Sequence, residues 1–170
     1  MGAKIESEHT LAASERFDLL YIPGGIGAEA ASKSRPILDL VRAHHAEGRW
    51  VAANCAGLSV LHRAGILEGL EVTAPATVSR RLAALGTKVA TPRRAWTIEP
   101  ERKVFTAAGA ATVHPSTIAL VLVWQLFGEV KARDLAATWD TLPFHGEELF
   151  SVVGPALVDD EAAKGRLQDA

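Results

Sequence analysis

The chain has a single cysteine among its 170 residues. No intrachain disulfide is possible, and a lone thiol suits a reducing compartment. A dominant charge is missing as well. Eighteen Lys and Arg face 20 Asp and Glu, a net charge of −2, so neither nucleic acid nor an anionic membrane surface is an expected partner. Long apolar runs are absent: the longest, residues 118–124, falls far short of a membrane span. Residues 1–8 carry no apolar signal-peptide core, which leads to the expectation of a cytoplasmic protein. The six histidines are scattered and offer no converging zinc spacing, so no metal site is expected. Pro23-Gly24-Gly25-Ile26-Gly27 lacks the Gly-x-Gly-x-x-Gly spacing and the acidic residue about twenty positions later that a dinucleotide needs. No cofactor is expected. Internal repeats and low-complexity tracts are also missing.

What is present is ordinary for a folded protein: 48% hydrophobic and 22% charged residues, in a length that fits one domain with a sizeable core. Residues 17–22 form an apolar run ending in Pro23-Gly24-Gly25, the pattern of a parallel strand closed by a glycine turn. A helix is expected over 36–47, with Ser34 as N-cap and Gly48 as its stop. A strand over 50–53, a helix over 56–64, a short strand over 72–74, a helix over 77–85 and a strand over 88–90 follow. Residues 95–98 and 103–107 flank Glu99-Pro100-Glu101-Arg102 as a hairpin. Helices over 115–127 and 130–138 complete the pattern, and residues 145–170 read as a tail. Alternating strands and helices imply an α/β domain with a mostly parallel sheet covered on both faces. In such sheets ligands bind beyond the carboxyl ends of the strands, which places Gly24-Gly25 and Cys55 on one edge.

Cys55 lies in Ala53-Asn54-Cys55-Ala56-Gly57, where an apolar strand turns sharply into a helix. Small residues two positions away on each side, Ala53 and Gly57, suit a tight strand-to-helix elbow. A thiol at a helix start is favoured as thiolate. The segment equally fits a buried cysteine packed as a small hydrophobe, and a single cysteine carries no pattern of its own to decide between the two.

Three pieces together resemble the ThiJ/PfpI superfamily, related to class I glutamine amidotransferases. They are Asp18-Leu19-Leu20-Tyr21-Ile22-Pro23-Gly24-Gly25, the Cys55 segment, and Val104-Phe105-Thr106-Ala107-Ala108-Gly109 leading into the long helix. Ala64-Gly65-Ile66-Leu67-Glu68-Gly69 and Leu82-Ala83-Ala84-Leu85-Gly86 add to the likeness. Trp139-Asp140-Thr141-Leu142-Pro143-Phe144 is similar to the ending of the isonitrile hydratase-like branch. The resemblance implies a flavodoxin-like three-layer sandwich over residues 1–144, often a homodimer. It also implies that Cys55 is the nucleophile and that the backbone N–H groups of Gly25, with Gly24 beside it, and of Ala56 line an oxyanion-type pocket for a small substrate.

The chain departs from the family in three places. The strand, helix and second strand that usually precede the Pro-Gly-Gly strand are missing or truncated. The lost first strand would leave open edges on both of its neighbours and would take with it the acidic residue that usually faces the cysteine. Glu6, Glu8 and Glu29 are the candidates to replace that residue, and each reads as a solvated surface group. Ala56 stands where the hydratase-like branch has Thr and many members have His. Thr73-Ala74-Pro75-Ala76 lacks the aromatic or His often found there.

His114 opens the long helix and is a candidate general base for Cys55. His44 and His45 read as surface residues, His62 as packed or exposed, and His9 and His145 give no signal. Trp50, Trp96, Trp124 and Trp139 read as core or interface aromatics. The expected function is a cysteine-dependent hydratase or hydrolase of a small electrophilic substrate. The alternative is a non-catalytic redox-sensing or ligand-binding protein, which the missing acidic residue favours.

Overall fold

The structure is a computed structural model that describes residues 6–8, 10–11, 17–109 and 115–138. It divides into two compact units, one ending at Gly109 and one beginning at Ala110. The expected boundary at 144/145 falls outside the described residues.

The first unit is built on a four-stranded sheet. Its strands are β1 (Leu19–Ile22), β2 (Trp50–Asn54), β5 (Trp96–Glu99) and β6 (Val104–Ala107), in the order β1-β2-β6-β5. β1, β2 and β6 run parallel, with Ile22 opposite Ala53 and Asn54 opposite Ala107. β5 pairs antiparallel with β6, closing the expected hairpin through a 3-10 turn at Pro100–Arg102. A two-stranded parallel sheet joins β3 (Glu71–Val72) to β4 (Lys88–Val89). Among the described residues β1 is an edge strand. The order β1-β2-β6-β5 makes β5 the edge on the other side.

The helices of this unit are α1 (Gly27–Ala31), α2 (Arg35–Ala46), α3 (Leu58–Arg63) and α4 (Ala76–Ala84). Alternation along the strands sends Val51, Ala53 and Val104 into one core with Val41, Leu58, Leu61, Val78 and Leu82, against which Leu20 and Ile22 also pack. Trp50, Ala52 and Phe105 occupy alternate positions and are buried too, so β2 and β6 are apolar on both faces, as parallel strands in the middle of a sheet must be. The second unit holds α5 (Pro115–Phe127) and α6 (Glu129–Thr138), packed against each other. No described helix is long and apolar enough to cross a membrane.

Several local expectations are corrected. His44 is buried, not on the surface, because its ring nitrogen bonds the Trp50 carbonyl at 3.1 Å. Ser34 occupies the N-cap of α2 with extended backbone but makes no side-chain cap bond. The helix expected over 56–64 begins as a 3-10 turn, Cys55–Gly57, and becomes α-helical only at Leu58. α1 was not anticipated, since five small or short residues after a glycine turn make no amphipathic pattern.

Candidate functional site

The site is assembled where β1 and β2 end side by side. β1 leaves the sheet through Pro23-Gly24-Gly25, and Gly25 takes φ 105, which its missing side chain permits. β2 ends at Asn54, extended at φ −126 and ψ 159, and the chain then reverses at Cys55 with φ 51. Cysteine has no intrinsic reason to occupy this left-handed region, and a non-glycine residue held there stores about 1–2 kcal/mol. The thiol is half-buried.

The elbow is possible because its neighbours lack side chains. A Cβ on Gly24 would stand 2.5 Å from the Cys55 Cβ and 3.3 Å from the Ala56 nitrogen. A Cβ on Gly57 would overlap the Ile22 carbonyl oxygen and lie 2.9 Å from that of Pro23. On the β6 side, a Cβ on Gly109 would stand 3.4 Å from the Cys55 sulfur and 3.0 Å from Pro75 Cγ. The sulfur is thus flanked by Gly109, and Pro75 lies just beyond. One further tie crosses the site: the Gly24 N–H donates to Asn54 Oδ1 at 2.9 Å.

Gly24, Cys55 and Ala56 are therefore brought together. Gly25 is next along the chain, and its Cβ direction is open for 4 Å. Its carbonyl accepts the Ala28 N–H at 3.2 Å, which starts α1. His114 lies outside the described residues. Among those residues the Cys55 thiol has no hydrogen-bonding partner, and no three His, Cys, Asp or Glu side chains converge as for a metal.

The acidic candidates lie elsewhere. Glu6 and Glu8 are exposed. Glu29, on α1, is ion-paired with Lys33 at 3.3 Å and Arg81 at 3.1 Å. The Lys33 hydrogen bond, with the nearby arginines, holds its carboxyl below the ordinary glutamate range. Arg81 also reaches Ser59. His62 bonds Thr87 Oγ1 at 2.9 Å.

Sequence reasoning missed the parts played by Asn54, Pro75 and Gly109. Thr73–Ala76 looked bland, yet it is anchored deep in the fold. The Thr73 N–H donates to Thr106 Oγ1 at 3.0 Å and its hydroxyl to the Arg94 carbonyl at 2.6 Å, while Thr106 and Thr97 share a 2.6 Å bond. These buried hydroxyls fix the segment that delivers Pro75. A polar residue ending the otherwise apolar strand Trp50-Val51-Ala52-Ala53-Asn54 was the available signal for Asn54.

Comparison with known proteins agrees with this architecture. The sequence profile described as the DJ-1/PfpI family matches residues 1–121. Protein DJ-1 homolog A of Arabidopsis thaliana is 29% identical over 134 residues, which is 78% of this chain and 33% of that protein. Isonitrile hydratase of Pseudomonas putida is 31% identical over 72 residues, 42% of this chain and 32% of that enzyme. The chain thus spans about a third of the length of these two curated relatives. Among solved structures, DJ-1beta of Drosophila melanogaster superposes with a TM-score of 0.65 at 23% identity, covering 81% of this chain and 72% of that one. That likeness is one of fold, the flavodoxin-like α/β fold.

Proposed function

The chain belongs to the DJ-1/PfpI family, and from that premise we propose that it is a cysteine-dependent hydratase or hydrolase acting through Cys55 on a small electrophilic substrate. The observation that carries the reading is the left-handed backbone of Cys55 at the end of a parallel strand, closely approached by Gly24 and Gly109. Strain of this kind persists only where the surroundings enforce it, and at a strand-to-helix turn it presents a side chain at the edge of the sheet.

The chemistry follows from the atoms at hand. The thiolate forms a bond to an electrophilic carbon, of an isonitrile, aldehyde or amide, and the displaced electron pair moves onto the substrate heteroatom. The N–H groups of Gly25 and Ala56 receive that charge, each such donor contributing about 2.7–4 kcal/mol to a transition state. An amide adduct first expels its amine, which takes a proton from water, and an isonitrile adduct takes a proton from water at its carbon; water then attacks the same carbon and the thiolate leaves, so no net redox change occurs. A homodimer in a reducing cytoplasm is part of the same proposal. The test is turnover of a panel of isonitriles, aldehydes and amides by wild type and Cys55→Ser. Wild-type turnover that the variant loses at least about a hundredfold, with melting unchanged, supports the reading. Equal turnover in the two removes it.

A second reading, a redox sensor, is favoured by the thiol's being only partly buried at the elbow. Sensing needs an accessible thiolate but no acid or base. Mild peroxide followed by intact-mass measurement separates the two. Selective sulfinate on Cys55 with no turnover of any substrate selects the sensor.

A further inference from the structure

We propose that Asn54 is a positioning residue for Cys55: its side-chain oxygen holds the Gly24 amide and so keeps the Gly24-Gly25 turn seated against the nucleophile. The inference rests on Cys55 being a reactive thiol.

β1 and β2 pair in register up to Ile22 opposite Ala53. The next residue of β1 is Pro23, which has no N–H to donate. Backbone pairing therefore cannot carry the contact one step further, at the step where the chain must pass beside the elbow. The bond from the Gly24 N–H to Asn54 Oδ1, 2.9 Å long and spanning 30 residues, takes over. It draws Gly24 so close that its α-carbon has no room for a methyl beside the Cys55 Cβ. Gly25 follows immediately at φ 105, and its carbonyl starts α1. One side-chain oxygen thus sets the orientation of the turn that carries the Gly25 N–H.

The residue type fits the task. An amide oxygen accepts from the Gly24 N–H as a carboxylate would, but without a negative charge beside a thiolate. Hydrophobic side chains of similar size could fill the space and would leave the Gly24 donor unmatched.

The test combines amide exchange at Gly24, read by NMR, with the rate of Cys55 alkylation by iodoacetamide in wild type, Asn54→Leu, Asn54→Ala and Asn54→Asp. Removing the acceptor in the Leu or Ala variant speeds Gly24 exchange by about fivefold or more and slows alkylation by a similar factor. Asn54→Asp keeps an acceptor oxygen at the same reach, so Gly24 protection survives there, a rescue that a merely space-filling role would not show. Alkylation that is unchanged or faster in Asn54→Leu or Asn54→Ala overturns the inference while leaving the reading of Cys55 intact. A wild-type thiol no more reactive than free cysteine overturns both. If Asn54→Leu and Asn54→Ala fail to fold, the wild-type protein alone decides: a Gly24 amide that exchanges like an open loop overturns the inference, and a protected one supports it.

Discussion

Cys55 and Lys103 share one backbone conformation, φ 51 and φ 50, at opposite ends of the same sheet. They are the only non-glycine residues with positive φ among the described residues. Lys103 explains itself locally. It follows the 3-10 turn Pro100–Arg102, donates its N–H to the Pro100 carbonyl at 3.0 Å and accepts from the Val51 N–H at 2.9 Å. A hairpin of this length needs one left-handed residue, and any residue that tolerates the strain can serve. At Cys55 the same strain comes with close approach from Gly24 and Gly109, while Gly57 presses the start of the following helix against the backbone of Ile22 and Pro23. Backbone strain alone therefore does not mark a site; strain enforced by surrounding bare backbone, at the carboxyl end of parallel strands, does.

The largest effect should come from filling the elbow. Gly57→Ala puts a methyl onto two backbone oxygens that have nowhere to go, and should destabilise the fold by about 3 kcal/mol, read as a shift of the urea midpoint. A loss below about 1 kcal/mol would mean the elbow is loose and would erase the contrast with the hairpin.

Gly109→Ala comes next. Gly109 does not use the left-handed region, so alanine suits its backbone, but the new methyl sits 3.4 Å from the sulfur. Alkylation of Cys55 should slow about tenfold as one flank of the thiol closes, with a smaller change in stability. At the other end, Lys103→Gly should raise stability by up to about 1 kcal/mol through relief of strain, partly offset by the freer unfolded chain, and leave Cys55 reactivity unchanged.

The smallest predicted difference is one of pH. Burial raises the Glu99 carboxyl above the ordinary glutamate range, and Glu71 adds to it. The folded state then holds this proton more tightly than the unfolded chain, so Glu99 weakens the fold as pH rises through the carboxylate range. Glu99→Gln should stabilise at pH 7, with the gain shrinking towards about pH 4. Glu29, on α1, has the opposite sign: its lowered carboxyl supports the fold at neutral pH, and that support fades as pH falls. Urea midpoints of Glu29→Gln and Glu99→Gln across that range should therefore diverge in opposite directions.

The order of strands and helices was readable because each apolar run is bounded by glycine or proline: Pro23-Gly24-Gly25, Gly48, Gly86 and Pro100. The meeting of Gly24 with Cys55 was readable for a related reason, since parallel strands deliver their C-terminal ends to one edge. What stayed hidden depends on contacts distant in sequence. The Asn54 bond reaches back 30 residues, and the burial of His44 depends on the Trp50 carbonyl. Pro75 approaches Gly109 through the hydroxyl network of Thr73, Thr97 and Thr106. None of these follows from periodicity or propensity. The 3-10 start of the elbow was missed because the composition of Cys55-Ala56-Gly57-Leu58 suits an α-helix equally well.

The central claim is that the fold presents Cys55 for reaction instead of storing it as packing. The direct measurement is the rate of Cys55 alkylation by iodoacetamide at neutral pH in the native protein and in the same chain unfolded in urea, followed by intact mass. The account predicts native labelling about tenfold faster than unfolded. Native labelling slower than in the unfolded chain would contradict it and make Cys55 a core residue.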